Sequence, residues 1–188
     1  QASTSKTFKN QWNRLHKKHG VEWVTGGVDL PLEESMETLI QLNHLRWGEQ
    51  GEAFQSPQFL AFHQELAQTI APFGWLYLRL LRVDGTFAAA RYDFLYDGKL
   101  WNNQNGWDPA LEHLSLGKMI IGYSIRECIA LGAREYDFLG GASEYKRFWA
   151  SNERNLLRVE VANPAKRAGF FLQQVHLLKG VISPQKAA

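Results

Sequence analysis

Two Asp-Gly pairs constrain the fold of this chain more than any other feature of its sequence. Asp84-Gly85 and Asp97-Gly98 separate three stretches that read as strands, at residues 75–83, 86–96 and 99–105. An Asp-Gly pair between two strands favours a tight β-hairpin turn, because both residues tolerate the left-handed backbone that such turns need. The sequence therefore predicts an antiparallel meander of three strands.

Helical patterns surround the meander. Apolar residues that recur at every third or fourth position predict helices. The predicted helices span residues 7–19, 31–47, 56–72 and 115–131, a short segment at 143–149 and a last helix from Pro164. Further short strands are predicted at residues 21–25, 135–139 and 155–162. Helices set against a largely antiparallel sheet indicate an α/β fold of the mixed α+β kind, with the meander followed by strand, helix and strand.

The charges of the chain are distributed unevenly. Residues 1–21 hold five Lys and Arg and no acid, residues 22–144 hold eight against seventeen acids, and residues 145–188 hold eight against two. The net charge of +2 therefore conceals two basic ends around an acidic middle. Scattered lysines on a short helix usually form a solvated face, so the first stretch does not favour a nucleic-acid partner.

Several classes of protein are excluded or disfavoured. The single cysteine, Cys128, excludes an intramolecular disulfide and disfavours zinc, and the histidines show no metal-ligand spacing. No apolar run approaches the ~18 residues that a membrane span needs. We therefore expect a cytoplasmic protein with no metal and no membrane partner.

The chain starts at Gln1 with a helix that has no start signal of its own, which favours a piece of a longer protein.

Three short motifs show a resemblance to a known family. A Ser-x-Gly helix start at residues 115–117 is followed by Asp-Phe-Leu-x-Gly at 137–141 and by Tyr-Lys-x-x-Trp at 145–149. Together with the rest of the chain from about residue 5 to residue 178, they resemble the GNAT-type domain of the CelD/BcsL family of acyltransferases. That family is linked to cellulose and exopolysaccharide production and is distantly related to the Fem peptidyltransferases.

The resemblance implies a GNAT acyl-CoA N-acyltransferase-like fold. In that fold the third meander strand and the strand after the next helix run parallel and splay apart, and acyl-CoA enters the gap. The resemblance also implies a GNAT-like domain at residues 21–182 and a connecting basic helix at residues 1–20. Proteins of this family are usually longer, so the expected partner is an N-terminal GNAT-like half or a second copy of the chain.

The helix start at Ser115, Leu116, Gly117 and Lys118 is the candidate donor site. A helix N-terminus offers unpaired N–H groups and a positive dipole end, Gly117 admits a phosphate close to the backbone, and Lys118 adds charge. These features suit the pyrophosphate of acyl-CoA. The GNAT loop normally holds a second glycine and an Arg or Gln, which this chain lacks. The alternative is an N-cap serine followed by a glycine packed against the sheet.

Asn103 and Asn105 lie on the third meander strand and are further donor candidates. Asn and Gln are poor strand formers, so the run at residues 102–105 indicates a polar cleft beside the strand. In the GNAT layout this strand borders the acyl-CoA gap. The alternative is an exposed edge strand that is kept polar against aggregation.

Three residues are candidates for the chemistry. Asp137, near the end of a strand, can act as a general base, or can pair with Lys146 and fix the following loop. The resemblance favours Tyr145 as the acid that protonates the leaving thiolate. Lys146 can bind a phosphate or stabilise an oxyanion. The alternative for both is structural, with a solvated lysine beside a half-buried tyrosine.

Arg46, Trp47 and Trp149 are the candidates for the acceptor pocket. Arg46 can hold an anionic substrate there. The alternative is a helix C-terminus at which Arg46 and His44 interact favourably with the helix dipole and Trp47 packs.

The sequence thus favours transfer of an acyl group, most simply acetyl, from acyl-CoA to an amine or hydroxyl. The acceptor would be a small molecule or a saccharide, in polysaccharide or cell-envelope metabolism, and attack would be direct, since no nucleophile is positioned. One alternative is a Fem-like transferase that uses aminoacyl-tRNA, which the basic ends would suit. Another is a catalytically degenerate GNAT module that binds a partner.

Overall fold

The computed structural model describes residues 2–48, 54–141, 143–155 and 157. The chain divides into two compact units, at residues 1–152 and 153–188. Of the second unit, residues 153–155 and 157 are described, and their side chains are exposed. The predicted strand at 155–162 and the helix from Pro164 fall almost wholly outside the described residues. The helices and strands that the structure describes belong to the first unit.

The predicted helices and strands of the first unit are all present, with ends that shift by a few residues. They are α1 (Ala2–Lys18), β1 (Val21–Thr25), α2 (Leu32–Trp47), α3 (Pro57–Ile70), β2 (Leu76–Val83), β3 (Thr86–Tyr96), β4 (Lys99–Trp107), α4 (Leu116–Ala130), β5 (Glu135–Asp137) and α5 (Glu144–Trp149). Two short 3₁₀ segments, Ala71–Phe73 and Pro109–Leu114, were not predicted.

The predicted meander is confirmed. The sheet has the order β1-β2-β3-β4-β5, in which the first four strands pair antiparallel and β4 pairs with β5 in parallel. At both hairpins the Asp and the Gly have positive φ, at 52° and 84° for Asp84-Gly85 and at 50° and 65° for Asp97-Gly98. Two successive left-handed residues match the twist of the flanking strands. The fold is therefore the expected mixed α/β class.

Helices cover both faces of the sheet. Met36, Leu39 and Leu42 of α2 pack with Leu78 and Leu80 of β2 on one face. The other face is covered by α1 and α4, whose core residues join the side chain of Leu81. Alternation along β2 explains this division, because successive residues of a strand point to opposite faces.

The basic helix α1 is part of this packing. Leu15 is 2% exposed and lies in the cluster that includes Met119 and Ile120 of α4. Phe8 of α1 fits against Gly122, where an added Cβ would come within 2.2 Å of its ring. The helix α1 therefore contributes Phe8 and Leu15 to the core of this unit. The connecting role of that helix stays a prediction.

A buried histidine is expected to make the stability of this core depend on pH. His63 of α3 is 5% exposed and its Nδ1 lies 3.2 Å from the Tyr92 hydroxyl. Burial lowers the pKa of His63 below its ordinary 6.5, so the unfolded chain binds the proton more tightly than the folded chain. We expect the free energy of unfolding to fall as the pH drops below about 6.5 towards the folded pKa. Urea unfolding at about pH 7.5 and about pH 5.5 measures this loss, and His63→Leu should show a smaller one. An equal loss in the variant would contradict the assignment.

Candidate active site

A gap opens where β4 and β5 stop pairing. Their parallel ladder runs from Lys99 opposite Glu135 to Trp101 opposite Asp137 and ends there. The β4 strand continues to Trp107, and no described strand pairs with its far half on this side. The parallel pairing and the separation that the resemblance implied are thus confirmed. The open edge leaves backbone groups of β4 available to a ligand.

A cavity of about 380 Å³ lies beside the open half of β4. Its walls come from the end of α2, from β4, from the first two turns of α4 and from α5. The lining residues are Arg46, Asn105, Trp107, Gly117, Lys118, Ile121, Glu144, Tyr145, Phe148 and Trp149. Six of the residues predicted from the sequence therefore meet here, namely Arg46, Asn105, Gly117, Lys118, Tyr145 and Trp149.

The start of α4 partly agrees with its predicted role. Gly117 and Lys118 line the cavity, whereas Ser115 and Leu116 do not. Leu116 is 1% exposed and packs in the core, so its side chain is not available to a donor. Gly117 is also a packing residue, because a Cβ there would lie 3.2 Å from Nε1 of Trp107. Both readings of this glycine, close approach of a ligand and packing against the sheet, are compatible with its place.

Ser115 does not cap α4 with its side chain. It has a left-handed backbone, with φ at 57°, and its hydroxyl accepts a hydrogen bond from Nε2 of Gln11 at 3.3 Å. Ser115 thus occupies the N-cap position, as the alternative expected, but its side chain makes no capping hydrogen bond. An uncapped first turn keeps donors for an incoming anion, which favours the ligand-binding interpretation of this helix start.

A bulge in β4 separates the two asparagines. The register shifts between Tyr92 and Asp93 of β3, so that Asn103 is the extra residue of β4. Its backbone N–H donates to Oδ1 of Asp93 at 2.9 Å. Asn105 reaches the cavity and Asn103 does not. In a regular strand, residues two positions apart share one face, and the bulge interrupts this alternation between Asn103 and Asn105.

Arg46 contacts β4 rather than capping its helix. The Nη1 group of Arg46 donates to Oδ1 of Asn105, and its guanidinium lies 4.2 Å from the Trp47 ring and 5.3 Å from the Trp107 ring. Burial lowers the pKa of Arg46 to about 10, although the nearby Tyr145 acts in the opposite direction. The side chain stays positively charged at neutral pH. Trp47 is 46% exposed and supports Arg46 from outside the cavity.

The catalytic candidates Asp137 and Lys146 both bond to the loop that follows β5. Oδ1 of Asp137 accepts from the N–H of Leu139 at 2.8 Å. Nζ of Lys146 donates to the carbonyls of Leu139 and Gly140. Burial lowers the pKa of Lys146, and the Asp137 charge opposes that effect. Neither side chain lines the cavity, so this geometry favours the structural alternative in which the two residues fix the loop.

Tyr145 and Trp149 lie on the cavity side of α5. Tyr145 is 40% exposed and its ring packs edge-on against Phe138 at 6.2 Å. Trp149 packs edge-on against Phe8 of α1 at 5.4 Å, which ties α5 to the N-terminal helix. Glu144, the first residue of α5, is a cavity-lining carboxylate that sequence reasoning missed.

A buried ion pair on β3, the strand that neighbours the cavity-lining β4, was also missed. Nε of Arg91 donates to Oδ2 of Asp93 at 2.7 Å, and both side chains are fully buried. The hydroxyl of Tyr136 donates to the same Asp93 oxygen at 3.3 Å. The one available signal was the occurrence of two opposite charges, two positions apart, in an otherwise apolar strand.

Comparison with known proteins places the chain in a family. Residues 2–147 match the family described as "Acetyltransferase (GNAT) domain". No curated protein sequence matches the chain. Among solved structures it is similar to glucosamine-6-phosphate N-acetyltransferase from Arabidopsis thaliana, with 12% identity, a TM-score of 0.47, and coverage of 75% of this chain and 98% of that one. The family match extends over most of the first unit, and the chain belongs to the GNAT acetyltransferase domain family of acyl-transferring enzymes.

Proposed function

We propose that this chain transfers an acyl group, most simply acetyl, from acyl-CoA to an amine or hydroxyl of a small molecule or saccharide. Acetyl-CoA is the donor that GNAT acetyltransferases use. The observation that supports the proposal best is the cavity beside the unpaired half of β4, which the start of α4 and the side chains of α5 enclose.

The donor would use two parts of this cavity. Its phosphates would lie at the first turn of α4, where Gly117 lines the cavity and the exposed Lys118 supplies charge. Its amide-bearing arm would bond to the open edge of β4, in the way that an extended peptide adds to a sheet edge.

The reaction would be a direct transfer in a ternary complex. The acceptor nitrogen or oxygen attacks the thioester carbon, the bond from that carbon to sulfur breaks, and the leaving thiolate takes a proton. No cysteine, serine or threonine, the usual residues that form an acyl-enzyme, is among the cavity-lining residues, which favours direct transfer. Tyr145 is the proton donor we propose for the thiolate, and Glu144 is the lining carboxylate available to take the acceptor proton.

The finer identity rests on the motifs at residues 115–117, 137–141 and 145–149. They support membership of the CelD/BcsL branch and a role in polysaccharide or cell-envelope metabolism in the cytoplasm. Under this proposal residues 21–182 form the GNAT-like domain, and residues 1–20 connect it to an N-terminal GNAT-like half or support a homo-oligomer. In the part of the chain that the structure describes, no helix has the length and apolar character to cross a membrane.

Calorimetric titration with acetyl-CoA tests the donor site. We expect the unaltered chain to bind, and Lys118→Glu to bind at least about tenfold more weakly, because a charge-assisted contact to phosphate is lost and a repulsion is added. Lys9→Glu is the matched control, since Lys9 is an exposed lysine of α1 outside the cavity lining. Equal weakening by both changes would show a nonspecific charge effect and contradict the site.

The same titration separates the alternatives. Absence of acetyl-CoA binding at millimolar concentration, together with salt-dependent binding of aminoacyl-tRNA, would favour Fem-like chemistry. Absence of binding to either donor would favour a degenerate module.

A further inference from the structure

A fully buried arginine beneath the cavity has donors without partners. The side chain of Arg91 is 0% exposed, and its Nε is the group that pairs with Asp93. Its Nη1 and Nη2 atoms have no hydrogen-bond partner among the described residues. A guanidinium has five N–H donors, and burying charged donors without acceptors is unfavourable. Such an arrangement is expected where a ligand completes the bonding.

The side chain of Arg91 stands on the face of the sheet that carries the cavity, although it is not itself a lining residue. In the register of β3 and β4, Arg91 stands directly opposite Asn105, and directly opposite residues place their side chains on the same face. Asn105 lines the cavity and accepts from Arg46. The two arginines are also close enough to interact: burial lowers the pKa of Arg46, and the Arg91 charge lowers it further.

Positive charge at this end of the cavity is not balanced. Arg46 makes no salt bridge with any described carboxylate, since its bond goes to a neutral amide. Asp93 is the carboxylate that pairs with Arg91, and that carboxylate also accepts from Asn103 and Tyr136. Asp93 therefore balances the charge of Arg91, and the charge of Arg46 has no carboxylate partner among the described residues. Glu144 of α5 also lines the cavity, and its side chain is exposed to solvent.

The geometry points to a second anion site, formed by Arg46 and Arg91 and distinct from the donor site at Lys118, that holds a carboxylate or phosphate group of the acceptor. Guanidinium groups match such oxyanions because they offer paired donors in a fixed plane. The inference rests on the proposed function and narrows it: the acceptor is an acidic amine or alcohol. Arg46 orients it and Arg91 completes the contact from below.

Inorganic phosphate and acetate are the probes for this site. Calorimetric titration is carried out with the full chain, first alone and then with saturating coenzyme A, which occupies the donor phosphate site. We expect phosphate or acetate to bind in both conditions, and Arg46→Gln to weaken that binding at least tenfold while coenzyme A binding changes less than threefold. Arg46→Lys keeps the charge and loses the paired donors. Its affinity for the anion should therefore lie between those of the unaltered chain and Arg46→Gln.

Several outcomes would overturn the inference. Anion binding that coenzyme A abolishes would assign the anion to the donor site, and binding that Arg46→Gln leaves unchanged would exclude Arg46. Normal coenzyme A binding with no binding of either anion would remove the acceptor site and leave the proposed function standing. Failure of coenzyme A to bind would instead count against the proposed function, while titration of the free chain would still test the arginines.

Thermal unfolding of each variant keeps the result interpretable. Arg46 is half-buried, so the substitutions at this position should leave the fold intact.

Among acceptors, phosphoethanolamine compared with ethanolamine isolates the acid group, and we expect at least a tenfold higher kcat/KM for the phosphorylated compound. An equal or lower kcat/KM for it would contradict an acidic acceptor.

Discussion

Asp93→Ala is expected to lower the free energy of unfolding by about 3–5 kcal/mol. Both side chains of the pair are fully buried. The substitution therefore leaves the Arg91 guanidinium buried without a countercharge. It also removes the acceptor for the N–H of Asn103 at the β4 bulge. Burial raises the pKa of the Asp93 carboxyl, and the Arg91 charge acts against this. Urea unfolding followed by circular dichroism measures the loss.

A double variant provides the control for this prediction. Arg91→Met combined with Asp93→Leu removes both charges, and replacement of a buried pair by apolar residues of similar size is often neutral or stabilising. We therefore expect the double variant to be more stable than Asp93→Ala. A loss below about 1 kcal/mol for Asp93→Ala would mean that solvent reaches the pair, contrary to its burial here.

Tyr145→Phe is expected to lower kcat by about 100-fold, the lower end of the range for loss of a general acid. The phenol is the cavity-lining hydroxyl of α5, and its ring is held edge-on by Phe138. Phenylalanine keeps that packing and removes the proton donor. We therefore expect the KM for acetyl-CoA to stay within about threefold, as for an interaction made in the transition state. Release of free thiol, followed in a coupled assay, measures the rate.

The matched control is Tyr96→Phe in the second hairpin. Tyr96 is 53% exposed, packs against Trp75 and does not line the cavity. Its substitution should leave kcat unchanged. An unaltered kcat in Tyr145→Phe would exclude this residue as the acid and would favour water as the proton donor to the thiolate.

The sequence was sufficient for features that local chemistry determines. The two Asp-Gly turns specify left-handed positions, and the meander follows from them. The 3.6-residue pattern located the helices, and the motif around Gly117 placed the start of α4 at the gap. Tyr145 was also correctly expected near that gap, because the short helix follows β5 directly in the chain.

The rest depends on contacts between distant positions. Arg46 and Asn105 are 59 residues apart in the chain, and their bond exists because α2 ends against β4. A bulge at Asn103 has no local sequence pattern, since its N–H is satisfied by a side chain of the neighbouring strand. In the sequence, Arg91 and Asp93 look like the polar residues of a solvent-exposed strand face. Only the folded structure shows that this face is covered and that the two charges form a buried pair.

The candidates after β5 show a different limit. Asp137 and Lys146 follow the family motif, and in the folded chain their bonds go to the loop backbone at Leu139 and Gly140. The sequence is compatible both with a structural role in this loop and with a catalytic role. The position of the cavity, which neither side chain lines, favours the structural role. Their catalytic roles stay predictions.

A crystal structure of this chain with acetyl-CoA tests the central claim most directly. We expect electron density along the unpaired half of β4 between Trp101 and Trp107, with the pyrophosphate at Gly117 and Lys118. The thioester sulfur should lie within hydrogen-bond reach of the Tyr145 hydroxyl. Density for acetyl-CoA at another surface, or an empty cavity at saturating ligand, would contradict the claim that this gap is the donor site.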